Sequence, residues 1–216
     1  MTRRALRKIG EGLDLSRWLK TFDDLPRPWS NSALFGRDAP LEVELGSGKG
    51  LFLSSATTAQ PGTNFLGLEV SHKYAKHVAA RLAQREAANG CVVHGDGLRV
   101  FREVLPTAGV AAVHVYFPDP WWKARHKKRR VLNSAFLVDV QRTLVPGGSL
   151  HFWTDVQEYF ETTLALIAAE SPLAGPFDVP EPTAEHDLDY RTHFERRTRL
   201  NEAPVYRAEF RKRMEA

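Results

Sequence analysis

Leu41-Glu42-Val43-Glu44-Leu45-Gly46-Ser47-Gly48-Lys49-Gly50 reads as a strand that ends on a carboxylate, breaks into a glycine-rich turn and opens a helix. From here the chain alternates short apolar runs with helical segments. Asn64–Glu69, Cys91–His94, Val110–Phe117 and Ser149–Thr154 are predicted as further strands. Between them Tyr74, Val78 and Leu82 recur at helical spacing after Ser71, a residue suited to an N-cap. Leu132, Phe136 and Val140 do the same, with Gly147-Gly148 expected to close that helix, and Val156, Phe160 and Leu164 mark another. Strands alternating with helices predict an α/β fold, a mostly parallel sheet with helices on both faces. Beyond Gly175 the pattern weakens, Pro176, Pro180 and Pro182 suggest a loop, and Val205–Arg211 is predicted as a last strand, antiparallel at or near an edge.

In an open α/β sheet ligands bind beyond the carboxyl ends of the strands. Five successive predicted strand ends carry an acid: Glu44, Glu69, Asp96, Asp119 and Asp155. Any one of them alone reads as a helix cap or a solvated turn residue; their regular recurrence points to a site. The glycine turn is not a phosphate loop of the Walker type, because the positions of its first Gly and its final Ser or Thr hold Val43 and Gly50. Nor does it fit the dinucleotide fingerprint, whose third Gly comes one position later than Gly50. A pyrophosphate would be repelled by Glu44, whereas a ligand with a sulfonium and an amino group would be attracted. That chemistry is S-adenosylmethionine. Gly46 and Gly48 would let the backbone approach it closely. Glu69 is placed to accept from two ribose hydroxyls and Asp96 from an adenine amino group.

Asp119 lies in Phe117-Pro118-Asp119-Pro120-Trp121-Trp122-Lys123. The two prolines stiffen the backbone on either side of the acid, and Pro120 pushes Asp119 towards an extended conformation. Trp121 and Trp122 offer flat faces that either stack on a base or pack into the fold. Lys123, Arg125, Lys127, Lys128, Arg129 and Arg130 follow, with no acid among them. Further basic clusters occur at Arg3, Arg4, Arg7 and Lys8 and from Arg191 to Arg213, while the net charge of the 216 residues is only +4. Such patches read as solvated surface or as contacts to a polyanion, and the central one, beside stacking faces, favours nucleic acid. With 43% hydrophobic residues the chain can bury one substantial core. Cys91 is the single cysteine, expected as a buried core thiol, so no disulfide framework or multi-cysteine metal site is expected. His72, His77, His94, His114 and His151 show no metal-ligand spacing. The basic N-terminus lacks a following apolar segment and no run approaches the ~20 apolar residues of a membrane helix, so a soluble, cytoplasmic protein is expected.

Taken in order, these motifs resemble the bacterial tRNA (guanine-N7-)-methyltransferases. The matching segments are 41–50, 64–70, 93–96, 117–130, 152–155 and 192–196, and the Pro-Asp-Pro-Trp stretch with its basic extension is the most specific. The resemblance implies a Rossmann-like class I methyltransferase fold with seven strands and an antiparallel C-terminal strand. It implies a domain over residues 41–216, preceded by a basic arm, 1–40, that can be mobile. The implied activity is transfer of the S-adenosylmethionine methyl group to N7 of a variable-loop guanine in tRNA, by a monomer or a homodimer. It carries over Glu44, Gly46, Gly48, Glu69, Asp96 and Asp119 as cofactor contacts, with Asp119 also catalytic. Lys123, Asp155, Thr192, His193, Phe194 and Glu195 carry over as substrate contacts, and Arg125, His126, Lys127, Lys128, Arg129 and Arg130 as RNA contacts. Trp122 stands where many relatives have His, and His193 where many have Lys. Methylation of another RNA or of protein and a non-catalytic RNA-binding module are the competing readings. The Pro-Asp-Pro order disfavours the amino-methylating enzymes of DNA, and the retained cofactor-type residues disfavour the inert module. If the basic run meets phosphates, tRNA affinity should fall steeply with salt, with ~0.7–0.9 of log-log slope per phosphate contact. A salt titration of tRNA binding measures this directly.

Overall fold

The computed structural model describes residues 12–181, 183–186 and 189–214. The basic cluster at Arg3–Lys8 lies outside them. In chain order the elements are β1 (Leu19–Thr21), α1 (Asn31–Phe35), β2 (Leu41–Leu45), α2 (Leu51–Ala59), β3 (Asn64–Glu69), α3 (His72–Ala83), β4 (Gly90–His94), α4 (Gly97–Glu103) and β5 (Val110–Tyr116). A 3₁₀ helix (Ala124–Arg129) follows, then α5 (Ser134–Thr143), β6 (Leu144–Thr154), α6 (Gln157–Glu170), β7 (Ala174–Phe177), α7 (His193–Leu200) and β8 (Tyr206–Arg211).

The strands form one sheet in the order β1-β4-β3-β2-β5-β6-β8-β7. The pairs from β1 to β6 are parallel and the two pairs made by β8 are antiparallel. After β2 the chain steps outward through β3 and β4, then returns to place β5 on the other side of β2. The crevice between β2 and β5 is therefore the topological switch point where such sheets bind ligands. Pleating sends alternate residues to opposite faces. Val43, Leu66, Val93, Val113 and Leu150 pack with Phe101, Phe136, Leu137 and Tyr159 of α4, α5 and α6. Phe65, Val92, Tyr116 and Trp153 pack on the other face with Phe52, Leu53, Val78 and Leu82 of α2 and α3. Cys91 is buried, and burial pushes its thiol up to about 12, as expected of an inert core residue.

The mostly parallel sheet with covered faces agrees with the sequence reading, and several details differ. An eighth strand, β1, comes from the first forty residues and pairs with β4. Leu25 and Phe35 from the same segment are buried in the core. Residues 174–177, read as part of a loop, form the edge strand β7, so β8 lies one strand inside the edge. Gly147 and Gly148 fall within β6 rather than closing α5. They sit in an irregular stretch where the register jumps from Val110↔Leu144 to Ala112↔Ser149. Ser71 precedes α3 without a side-chain capping bond.

Gly67 of β3 shows how tightly the glycine turn is seated. A Cβ there would run into Leu53 Cδ1 and Ser47 Oγ, both on buried residues. Gly67→Ala should therefore destabilise the fold by about 1–3 kcal/mol through overpacking, read as a lower midpoint in urea at unchanged slope.

Candidate active site

The glycine turn is stitched to the end of the neighbouring strand. Gly46, Gly48 and Gly50 all take left-handed backbone conformations, with φ of 83°, 52° and 68°. The amides of Gly46 and Ser47 donate to the Leu68 carbonyl at 2.8 and 3.2 Å. The Gly48 amide donates to Glu69 Oε2 at 2.8 Å, and the Ser71 amide to Glu69 Oε1 at 2.8 Å. Glu69 thus braces the turn while each of its oxygens keeps a second acceptor site. Burial pushes the Glu69 carboxyl up, the Ser71 and Gly48 amides pull it down, and the Asp119 charge adds to the upward push.

Glu44 is buried at the centre of this edge. Burial, aided by the Glu69 charge, pushes its carboxyl up to about 8, against the pull of the Ser47 hydroxyl. Its Oε2 is a buried polar atom without a hydrogen-bond partner among the described residues. Gly46 and Gly48 face open space, since a Cβ at either would meet nothing within 4 Å. A buried, unsatisfied acid beside bare backbone fits a ligand that brings donors or positive charge. S-adenosylmethionine carries both, so the residues present suit it.

The other acids are placed differently. Asp96 is exposed and caps α4, its Oδ1 accepting from the Leu98 and Arg99 amides at 2.9 and 3.4 Å. Asp155 is half-buried and does not cap α6, whose N-cap is Val156. Asp119 is exposed, and its charge reaches both Glu69 and Tyr159. The loop that carries it is strained at both ends. Phe117 and Trp121 have φ of 49° and 47°, a left-handed conformation that costs a residue with a side chain about 1–3 kcal/mol. The bracketing prolines signalled a stiff loop; nothing in the sequence signalled these two conformations.

The α7 segment closes over the same edge. Thr192 caps α7 by accepting from the Glu195 amide at 3.0 Å. The Phe194 ring lies 5.1 Å from that of Phe117, beside the Asp119 loop. His193 Nε2 is 3.2 Å from Arg81 Nη1, and Arg81 also donates to the carbonyl of Lys49 in the glycine turn. Burial, then the Arg81 and Lys49 charges, push the His193 ring down to about 4, which leaves it neutral near pH 7. Glu195 is 0% exposed and turned inward, accepting from the Arg191 amide at 2.6 Å and from Arg207 at 3.2 Å. The motif therefore orders α7 as well as facing the site.

The basic run is the outer wall. Lys123, Arg125, Lys127, Lys128 and Arg129 are exposed and His126 is half-buried along the 3₁₀ helix. Trp121 is half-buried, 5.0 Å beneath the Arg129 guanidinium and edge-on to His126, while Trp122 is 69% exposed. The two tryptophans have thus separated into one packed and one open face. Arg130 departs from the run: it is 8% exposed and bonded within the protein. Among the described residues, no helix is long and apolar enough to cross a membrane and no cluster of three His, Cys, Asp or Glu is placed to hold a metal ion.

The parallel sheet, its switch point and the acids at its strand ends define a class I S-adenosylmethionine-dependent methyltransferase fold. A solved structure of a SAM-dependent methyltransferase from Aquifex aeolicus superposes with a TM-score of 0.55 over 82% of this chain and 85% of that one, at 11% identity. Residues 38–208 match the family described as "Putative methyltransferase". The tRNA (guanine-N(7)-)-methyltransferase of Rhodopirellula baltica is 49% identical over 99% of this chain and 81% of its own length. That of Bordetella parapertussis is 38% identical over 80% of this chain and 67% of its own. The chain belongs to the tRNA (guanine-N7-)-methyltransferase family.

Glu44 makes a prediction about the ligand-free chain. Its folded-state pKa lies above the unfolded value, so between about pH 4.5 and about pH 8 the folded state holds a proton the unfolded state has released. Its contribution to stability should fall as pH rises through that window. His151, pushed down to about 3 by burial, and His193 act in the opposite sense below their ordinary range. The difference between wild type and Glu44→Gln in urea melts across the window isolates the Glu44 effect. The variant should gain relative stability as pH rises.

Proposed function

We propose that this chain transfers the methyl group of S-adenosylmethionine to N7 of a variable-loop guanine in tRNA. One observation carries the reading. A single edge of the sheet holds a buried acid pair, Glu44 and Glu69, and a strained loop that presents Asp119 beside them and leads into an exposed polycationic helix. The first suits a cationic methyl donor, the last a polyanion, and Asp119 stands between.

In this reading Glu44, Gly46, Gly48 and Glu69 hold the cofactor, Glu69 by the acceptor sites left after it braces the turn. Asp96 can serve the adenine amino group with the carboxylate oxygen that does not cap α4. When bound, the cofactor supplies an electrophilic methyl on a sulfonium. Guanine N7 already carries an in-plane lone pair, so exchange of the carbon–sulfur bond for a carbon–nitrogen bond would need no base from the protein. It would leave positive charge on the purine. Asp119 can stabilise that charge or orient the base through its N–H groups. Alignment of nucleophile and methyl is the main contribution the protein can make, worth roughly 7–11 kcal/mol in favourable cases.

Lys123, Asp155, Thr192, His193 and Phe194 border the substrate side, with His193 as a neutral partner. Glu195 contributes by ordering α7. Arg125, His126, Lys127, Lys128 and Arg129 meet phosphates, and the open face of Trp122 is available to stack on an unpaired base, worth ~1–3 kcal/mol. The methyltransferase domain of this proposal takes in, besides residues 41–216, the segment that supplies β1, Leu25 and Phe35. The basic residues Arg3, Arg4, Arg7 and Lys8 add RNA affinity ahead of a segment already anchored at β1. Action in the cytoplasm, as a monomer or a homodimer, belongs to the same proposal.

Incubation with unmodified tRNA and labelled S-adenosylmethionine, followed by mapping of the modified base, tests it. Label on a variable-loop guanine at N7 is expected, and label elsewhere overturns the substrate assignment. In the same assay Asp119→Ala should lower turnover by ~10²-fold or more, the range of a positioned catalytic group.

A further inference from the structure

Arg130 ends the basic run in sequence, yet its side chain faces inward. Its Nε donates to the Pro120 carbonyl at 2.9 Å. Nη2 donates to Glu158 Oε2 at 2.5 Å, and Nη1 to Glu158 Oε1 at 3.4 Å and Thr162 Oγ1 at 3.2 Å. The guanidinium carbon sits 4.3 Å from the centre of the Tyr159 ring. Most of the five N–H donors of an arginine are thus committed to α6 and to one backbone carbonyl, and one face of its plane is covered. This geometry leaves little to offer a phosphate. It also cannot be reproduced by lysine, which has no fork and no plane.

The carbonyl it holds belongs to the residue directly after Asp119. Pro120 lies between the acid and Trp121, one of the two left-handed residues that bracket the loop. A backbone kept in that conformation needs surroundings that over-determine it. On one side the Phe194 ring supports Phe117; on the other, Arg130 supports Pro120. Glu158 is the anchor for this second support and also accepts from Lys127 Nζ at 2.6 Å. The Arg130 and Lys127 bonds hold its carboxyl down at about 2, so it stays charged at any working pH.

We infer that Arg130, clamped by Glu158 of α6, is a positioning residue for methyl transfer: it fixes the Pro120 carbonyl and so the direction in which Asp119 presents its carboxylate. The inference rests on the function proposed above. Arg130 then belongs to the chemical step, and its exposed neighbours in the run belong to RNA docking.

The test compares Arg130→Lys and Glu158→Ala with Lys128→Ala, a change in the docking run. Three readouts are taken: the salt slope of tRNA binding, the single-turnover rate at saturating tRNA and S-adenosylmethionine, and exchange of the Phe117 and His126 amides, which are hydrogen-bonded on either side of the loop. Lys128→Ala should lower the salt slope by ~0.7–0.9. The two clamp variants should keep at least the wild-type slope, lose about 10²-fold in single-turnover rate through misplacement of the acid, and exchange faster at these amides. A wild-type rate in both, or a slope as shallow as that of Lys128→Ala, would overturn the inference. Glu158 is half exposed, so its variant carries the test if Arg130→Lys fails to fold. Should the wild-type chain not methylate guanine N7, the function proposed above falls, and amide exchange alone then decides the clamp, unchanged exchange in both variants refuting it.

Discussion

The parallel register around β2 is the constraint on which the rest of this molecule depends. Leu45, near the end of β2, is level with Leu68 on one side and Val115 on the other. Parallel strands all finish on one edge, so every following loop emerges there. The chain turns in opposite directions on the two sides of β2, which leaves a crevice between the loops instead of a crossing helix. The glycine turn, Glu69 and the Asp119 loop meet in that crevice although Gly46 and Asp119 are 73 positions apart in sequence. The bond from the Gly48 amide to Glu69 then locks two of the three together.

Crowding acids at one edge sets the electrostatics. Glu44 and Glu69 are both pushed up by burial, and each is opposed by further negative charge nearby. Such an arrangement is costly without a cation and favourable with one, because a fixed positive ligand repays the desolvation of its partners. The outer wall has the reverse sign. Arg130 and Glu158 pair charge to charge at the base of the Asp119 loop.

Strain is placed in the loop that carries Asp119. Phe117 and Trp121 hold left-handed conformations on either side of Pro118-Asp119-Pro120. The supports come from elements far away in sequence, Phe194 of α7 and Arg130 with α6. The helix α7 also reaches the glycine turn through His193 and Arg81. Both halves of the crevice are thus held by one element, capped by Thr192 and rooted by the buried Glu195.

Much of this was legible in the amino-acid order. The bounds of β2 and β3, the glycine turn and the acids at the strand ends follow from apolar runs broken by turn residues, signals that are local. The short strands β1 and β7 were not legible, because three or four residues carry no periodicity and become strands only by pairing with an existing edge. The Arg130 side chain is the clearest case of the same limit. In sequence it is one more cation in a run of cations, and nothing local separates it from Arg129. The tertiary structure turns it inward, because Glu158, Thr162, Tyr159 and the Pro120 carbonyl converge on it from elements the linear order does not bring together. Sequence alone decided which residue types sit at each strand end; only the packed fold decided which charges of the basic run face outward and which turns in to hold the Asp119 loop.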